Sequence, residues 1–455
     1  MRQFDAIIIG FGKGGKTLAG ALAAKGQSVA VIEQSTKMFG GTCINVGCIP
    51  SKSLVNSAAA SAAMGGDFQT KAERYRAAIA EKNRLTGMLR KKNYDKLQDM
   101  PNAEVILGHA SFAGPHEVLV KSDTGSEMLS GKKLFINTGS HPFIPPIAGL
   151  EQCSRAMTSE GLLELDSLPR QLVIIGGGYI GMEFASIYAN FGSEVTVIQD
   201  GPVFLPREDE EIAQTVHQSL LDRGIRLLLS AKIEQVQEDG DGAILSVLSP
   251  DGSMALQADA ILIATGRRPN VEGLNLEAAG VELTDRGAVK TDEHLRTTAP
   301  DIWAMGDVAG GLQFTYISLD DYRIVSSGLS GDARTTGNRG AVPYSVFLDP
   351  PFSRVGLRER EAREQGYEIK IARLPAAAIP KAQVLHKTTG LLKAVIDAKT
   401  DHILGAHLFC AESHEMINLI KLAMDAGLPY TVLRDQVFTH PTMSEALNDL
   451  FGTVK

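Results

Sequence analysis

Ala6-Ile7-Ile8-Ile9-Gly10-Phe11-Gly12-Lys13-Gly14-Gly15 is answered 166 residues later by Leu172-Val173-Ile174-Ile175-Gly176-Gly177-Gly178-Tyr179-Ile180-Gly181. Carried through to Glu33 and Gln199, the two stretches share 11 of 28 positions, among them Ala19/Ala185, Gly26/Gly192 and Val31/Val197. Each reads as an apolar strand, a glycine turn, a helix of small residues, a glycine stop and a second strand, which is a βαβ unit. A parallel sheet follows from each copy. Both turns have the spacing G-x-G-x-x-G: Gly10, Gly12 and Gly15, then Gly176, Gly178 and Gly181. The first glycine permits the tight turn, the second admits a pyrophosphate against the backbone, and the third lets helix and strand close up. The chain therefore predicts two dinucleotide-binding domains of Rossmann type.

Glu33 stands 18 residues past Gly15, where the 2′-hydroxyl of a ribose needs an acceptor. The second copy has Gln199 there, and no arginine follows until Arg207. A neutral amide without a nearby guanidinium suits NADH better than NADPH, although NADPH is not barred. Two such sites in one chain imply two redox cofactors, or a prosthetic group and a dinucleotide substrate, exchanging electrons.

The 455 residues suggest roughly three domains at about 150 residues each. Basic residues number 45 and acidic 53, a net charge of −8, so no positive field attracts nucleic acid or anionic lipid. No apolar run approaches the ~18 residues of a membrane span. Met1-Arg2-Gln3-Phe4 leads straight into the first strand without an apolar leader segment, and the expected compartment is cytoplasmic.

Four cysteines are too few for a secreted disulfide scaffold, and two of them lie close together in Gly40-Gly41-Thr42-Cys43-Ile44-Asn45-Val46-Gly47-Cys48-Ile49-Pro50-Ser51-Lys52. On a regular helix, residues five apart point roughly 140° away from each other, so bridging these thiols requires a distorted turn, which Gly47 and Pro50 permit. Zinc would want a second ligand pair at matching spacing, and the chain has none. A redox-active dithiol is the expectation.

This segment resembles the active-site signature of the pyridine nucleotide-disulfide oxidoreductases, a family that includes dihydrolipoamide dehydrogenase, glutathione reductase and mercuric reductase. The resemblance extends through Asn137-Thr138-Gly139-Ser140, Ala264-Thr265-Gly266-Arg267, Met305-Gly306-Asp307 and His440-Pro441-Thr442-Met443-Ser444-Glu445. It implies an α/β fold with FAD-binding segments at 1–145 and 266–335, an NAD(P)-binding domain at 146–265 and a C-terminal α/β dimerisation domain at 336–455. FAD would be held by the first glycine turn, Glu33, Gly41, Thr42, Thr138, Gly139, Gly306 and Asp307. The nicotinamide nucleotide would take the second turn with Gln199 and Gly266, Tyr179 gating its pocket. Lys52 would pair with Glu183 beside the flavin. Cys48 would receive the electrons and Cys43 would meet the substrate, while His440, oriented by Glu445, would hold the proton for a thiolate of the other subunit in a homodimer.

Within the family, Gly311–Val325 and Phe204–Asp209 are most similar to bacterial flavoproteins of reactive-chlorine resistance, which implies NADH-dependent reduction of copper(II) in oxidant defence. Copper would then be a transient substrate at Cys43 and Cys48, in keeping with the preference of copper(I) for soft thiolates. The chain has no cysteine pair near its end, which disfavours mercuric reductase, and no evident arginine set for glutathione. Dihydrolipoamide dehydrogenase is the alternative activity, with a small-molecule disulfide as acceptor. A silent NAD-binding regulator is the alternative from another class, and retention of Cys43, Cys48, Lys52 and His440 argues against it. A flavin reductase that bypasses the dithiol is a third. His407, Cys410 and His414 invite a metal reading, but a strand end running into a helix favours packing. Ser57–Leu97, with Arg90-Lys91-Lys92, reads as helix bearing solvated charges.

Overall fold

The computed structural model describes residues 1–332 and 334–454. The chain divides into two compact units, one made of 1–53, 77–143 and 266–339, the other of 54–76, 144–265 and 340–455.

In the first unit, β1 (Arg2–Ile9), α1 (Lys13–Ala24) and β2 (Val29–Glu33) form the expected βαβ unit. β3 (Ala103–Leu107) extends it, giving the parallel order β3-β2-β1-β6, with β6 at Gly125–Ile136. β6 is long enough to serve twice on its outer edge. Its first half carries the antiparallel β5 (Glu117–Ser122) and β4 (His109–Gly114), and its last residues pair in parallel with β17 (Ile302–Ala304). Ala6, Ile7, Ile8 and Ile9 are all buried, as a parallel strand covered on both faces requires. Ile7 and Ile9 join Ala30 and Ile32 in one core, and Ala6 and Ile8 join Leu18 and Leu22 of α1 in the other. The second core also receives Ile324 of α8 (Thr315–Ser330). β7 (Ser140–Pro142) and β16 (Arg267–Pro269) make a short antiparallel pair. The sulfur-bearing segment is carried by α2 (Thr42–Asn45) and α3 (Cys48–Met64).

In the second unit, β8 (Ala156–Thr158), α5 (Ser159–Glu164), β9 (Gln171–Ile175), α6 (Tyr179–Phe191), β10 (Glu194–Ile198), α7 (Glu210–Asp222), β11 (Arg226–Leu228) and β15 (Ala260–Ile263) build a parallel sheet ordered β11-β10-β9-β15-β8. An antiparallel meander, β12 (Lys232–Asp239), β13 (Gly242–Ser249) and β14 (Gly252–Ala258), precedes β15 in the chain. The C-terminal part is an antiparallel sheet ordered β18 (Tyr344–Val346), β19 (Phe352–Gly356), β22 (Ile403–Phe409), β21 (Leu391–Asp397), β20 (Ile369–Pro375). α11 (Ser413–Asp425) turns Met416, Ile417, Ile420 and Ala423 into its core, the spacing of one helix face. Shorter helices α9 (Glu359–Glu364), α10 (Pro380–Leu385), α12 (Tyr430–Asp435) and α13 (Ala446–Gly452) complete it.

The stretch read as one helix over Ser57–Leu97 is two: α3 stops at Met64 and α4 runs Phe68–Gln98. Between them Gly65 and Gly66 adopt φ of 64° and 106°, a left-handed break that ends one helix and redirects the chain.

Candidate active site

The first glycine turn is shaped from a distance. Gly10 has φ 101°, and a Cβ there would lie 2.4 Å from the carbonyl oxygen of Asn137. The side chain of Asn137 accepts from the Gly15 amide at 2.9 Å and donates to the Met305 carbonyl at 2.7 Å and to Ser318 Oγ at 3.3 Å. Ser318 Oγ in turn accepts from the Gly14 amide at 3.1 Å. Glu33, 8% exposed at the end of β2, accepts from the Phe11 amide at 3.1 Å and from Ser35 at 3.2 Å. Burial pushes its carboxyl pKa up, against those hydrogen bonds. α1 has glycine at its N-cap, no capping side chain from that residue and no acid in its first turn. The positive end of the helix dipole is thus left uncompensated by local carboxylates, which fits a diphosphate.

The remaining FAD candidates are fixed around this turn. Ser140 donates to Asp307 Oδ2 at 2.6 Å and is braced by Arg267 Nε at 2.9 Å. Thr138 donates to the Asn270 carbonyl at 2.7 Å. Gly306 donates its amide to Asp321 Oδ2 at 2.7 Å, and Asp321 is itself held by Arg339 at 2.7 Å. Gly41, φ 79°, leads into Thr42 and comes so near the turn that a Cβ on it would sit 2.7 Å from Gly12 Cα. No side chain would approach closely at Gly139 or Gly266, where the space beside the backbone is open.

The two cysteines belong to separate helices. α2 ends at Asn45, Val46 leaves the helical region at φ −138°, and α3 begins at Cys48. This break, rather than a strained single helix, brings the thiols together. Asn45 secures α2 by donating to the carbonyls of Phe39 (3.1 Å) and Gly41 (2.9 Å), and it accepts from Arg90 Nε at 2.7 Å. Arg90, expected to be merely solvated, is therefore a brace for the cysteine segment. Cys43 and Cys48 are unbridged, and Cys48 Sγ lies 3.5 Å from Thr315 Oγ1 at the start of α8. The hydrogen bond shared with Cys48 raises the pKa of the Cys43 thiol, burial adds to the rise, and Thr315 and Lys16 oppose it. Lys16 donates to Asn93 Oδ1 at 2.5 Å and to the Gly40 carbonyl at 3.3 Å. Burial, aided by the charge of Lys13, lowers its ammonium pKa to about 8. Lys52 follows Cys48 by one turn of α3 and donates to Ser51 Oγ at 3.4 Å.

In the second unit, Gly176 has φ 110° and a Cβ there would lie 2.4 Å from the Ala264 carbonyl oxygen. A Cβ on Gly181 would lie 2.1 Å from the Gly176 carbonyl oxygen, which is the close packing the third glycine serves. Gly178 caps α6 without a side chain, no acid lies in the first turn, and nothing crowds its Cα. A nucleotide diphosphate fits here as well. Gln199 donates to the carbonyls of Gly201 (3.1 Å) and Val203 (2.8 Å), and its Oε1 lies over Gly177. Glu183, 8% exposed, accepts from the Phe347 amide at 2.9 Å. Tyr179 donates its hydroxyl to Glu208. His440 Nδ1 lies 2.8 and 3.0 Å from the two Glu445 carboxylate oxygens, with the imidazole largely exposed.

His407 is fully buried and shares a β-sheet row with Arg354 and Lys393. Burial and the Arg354 charge lower its pKa to about 4. Among the described residues no group of three or more His, Cys, Asp or Glu is arranged to hold a metal ion. Asn137, Ser318, Asp321, Thr315 and Glu208 were not singled out from sequence as site residues. All five lie in stretches that carry the resemblance, 137–140, 204–209 and 311–325, and the acids Asp320 and Asp321 within a largely apolar helical face were a further signal, since carboxylates are rarely buried without partners.

Residues 4–321 match the family profile "Pyridine nucleotide-disulphide oxidoreductase", and residues 342–451 match that family's dimerisation domain. The chain belongs to this family and is a flavin-dependent disulfide oxidoreductase. It is 51% identical, over the full length of both chains, to the probable pyridine nucleotide-disulfide oxidoreductase RclA of Escherichia coli. A solved structure described as the Cu(II) complex of the HOCl-induced flavoprotein disulfide reductase RclA superposes with a TM-score of 0.94, again over 100% of both chains at 51% identity. Identity to the mercuric reductase of Bacillus cereus is 37%, covering 98% of this chain and 70% of that one. For the dihydrolipoyl dehydrogenase of Bacillus subtilis it is 33%, covering 97% and 94%. Among the described residues no helix is long and apolar enough to cross a membrane.

Proposed function

We propose that this protein is an NADH-dependent copper(II) reductase acting through the Cys43–Cys48 dithiol in defence against reactive chlorine. The observation that carries the reading is the full-length likeness to the copper-bound E. coli flavoprotein, joined to a paired, unbridged Cys43 and Cys48 on adjoining helices. When bound, FAD supplies a two-electron relay between the reduced nicotinamide nucleotide and the cysteines. Gly10, Gly12, Gly15, Glu33, Thr138, Gly139, Gly306 and Asp307 would hold it, with Gly41 and Thr42 closing over the turn. The second glycine turn would hold NADH. Gln199 offers no charge to favour a 2′-phosphate, and Arg207, the next arginine in sequence, is exposed.

The chemistry at sulfur balances simply. Closing the Cys43–Cys48 bridge releases two electrons and the protons of the thiols, enough to reduce two copper(II) ions to copper(I). Before the bridge closes, the soft thiolates would hold copper as it gains its electron, and closing the bridge then withdraws those ligands and frees copper(I). Lys52 and Glu183 would sit beside the flavin. His440, its tautomer set by Glu445, would hold the released proton across the interface of a homodimer, whose building block is the domain at 336–455.

Anaerobic titration with NADH, followed separately by copper(II), lipoamide and glutathione disulfide, tests the assignment. Copper(II) should reoxidise the reduced protein and yield chelatable copper(I), and Cys43→Ser should abolish this. The reading fails if lipoamide turns over faster than copper, which would instead favour a dihydrolipoamide dehydrogenase, or if the serine variant keeps full copper reduction.

A further inference from the structure

We infer that Glu208 is a positioning residue for the nicotinamide nucleotide, fixing the ring of Tyr179 at the head of the helix that opens the second glycine turn. The inference rests on the reading of residues 176–181 as the nucleotide's cradle. Tyr179 is the first residue of α6, immediately after the bare N-cap Gly178. It is therefore the first bulky side chain a nucleotide on that turn would meet.

Its hydroxyl donates to Glu208 Oε1, and the same oxygen accepts from Tyr344 at 2.6 Å. The two rings stand 5.5 Å apart, tilted by 33°, so Tyr179 is held both at its tip and along its face. Burial and the adjacent carboxylate push its hydroxyl up to about 12, which keeps it a donor at any working pH.

Glu208 is fixed with equal thoroughness. Its side chain is wholly buried, and Arg354 Nη1 lies 3.7 Å from Oε2. Arg358 donates to the carbonyls of Pro206 (3.0 Å) and Glu208 (3.4 Å), and Arg354 to that of Arg207 (2.5 Å). The next residue, Asp209, takes both oxygens to the buried ammonium of Lys393 at 2.9 and 3.0 Å. Register places Arg354, His407, Lys393 and Arg373 in one row across four strands, so residues 206–209 are fastened to a basic ladder on the C-terminal sheet.

Glu208 also serves local packing, since an apolar replacement would leave two tyrosine hydroxyls without their acceptor and Arg354 without a carboxylate 3.7 Å away. What Glu208 adds is a fixed tyrosine. On this inference Tyr179 is a fixed wall of the cradle and not the gate the resemblance implies: a ring ordered during folding does not have to be ordered again when the nucleotide arrives, so binding retains that free energy.

Stopped-flow reduction of the oxidised holoenzyme by NADH separates the nucleotide's Kd and the limiting rate from the acceptor step, which is read by mixing pre-reduced enzyme with copper(II). Glu208→Ala and Tyr179→Phe should each raise the NADH Kd about three- to tenfold, the range of one net hydrogen bond. The double variant should be no worse than the poorer single one, because both changes remove the same interaction. Glu208→Gln, whose amide oxygen still accepts from the hydroxyls, should recover most of the affinity, and the acceptor step should stay within about twofold throughout. Should Glu208→Ala not fold, Glu208→Met, which removes the acceptor at similar volume, takes its place in the cycle under the same criterion. The inference is overturned if the Kd is unchanged, if the two effects multiply, or if both half-reactions fall together. Failure of NADH to reduce the parent flavin would instead remove the cradle assignment itself.

Discussion

Lys16 illustrates how one half-buried cation bears on the sulfur chemistry. Burial, together with Lys13, brings its pKa to about 8, while its charge acts to lower that of Cys43. Lys16→Met should therefore move the inflection of Cys43 alkylation, followed against pH in the reduced protein, upward by about half to one unit. An unmoved inflection would show that Lys16 has no hold on the thiol. Cys43 and Cys48 are legible in sequence as a close pair, while the roles given to His440 and Glu445 rest on the resemblance alone. The bonds of Asn137, Ser318 and Asp321 are not legible, since their partners lie elsewhere along the chain and a single amide, hydroxyl or acid has no spacing to betray it. Arg90 was misjudged for a related reason: on a polar helix, its bond to Asn45 looks like any solvated charge.

At the scale of elements, the break between α2 and α3 and the close approach of Gly41 to Gly12 decide how the cysteine segment is held. Both βαβ units were readable from apolar run, glycine turn and glycine stop. The distorted turn expected at Gly47 takes the form of a full break between α2 and α3, where a Cβ at Gly47 would lie 3.0 Å from the Thr42 carbonyl oxygen. Gly41→Ala combines a left-handed φ of 79° with a backbone collision at 2.7 Å. It should cost about 1–3 kcal/mol and yield protein with a reduced flavin-to-protein absorbance ratio. A normal ratio and unchanged melting temperature would contradict this. The start of α9 offers a test by pH. Glu361 receives both Arg354 Nη2 at 2.8 Å and Arg358 Nη2 at 2.7 Å, and despite the opposing effect of burial these interactions lower its pKa to about 2. An acid whose pKa is lowered on folding contributes its full stability above its unfolded value of 4.5 and loses it as pH falls toward 2. Glu361→Gln should flatten that part of the acid-unfolding curve, followed by circular dichroism, and lower stability near neutrality.

Over the whole molecule, a duplicated nucleotide-binding plan is joined to a domain of the family's dimerisation type. That third part announced itself only through resemblance, since its antiparallel strands lack any turn motif as specific as the glycine fingerprints. Its surface carries Val437 at 99% exposure, with Leu422 at 65%. Such apolar groups at the edge of a dimerisation domain are suited to burial by a second copy. Val437→Asp should shift sedimentation toward the monomer and, if His440 serves the neighbouring dithiol, depress acceptor reduction while leaving NADH-driven flavin reduction intact. A variant that remains dimeric and fully active would remove Val437 from the interface.

The side chain of Asn137 carries one further consequence. It must receive a proton from Gly15 with one end and offer protons to Met305 and Ser318 with the other. Aspartate is nearly the same shape but offers nothing, and would set two electron-rich oxygens face to face; leucine would do neither job. In a saturation library selected for survival, this locus should tolerate almost no replacement, a scarcity dictated by complementarity of lone pairs and hydrogens within the scaffold and felt well before any reagent arrives.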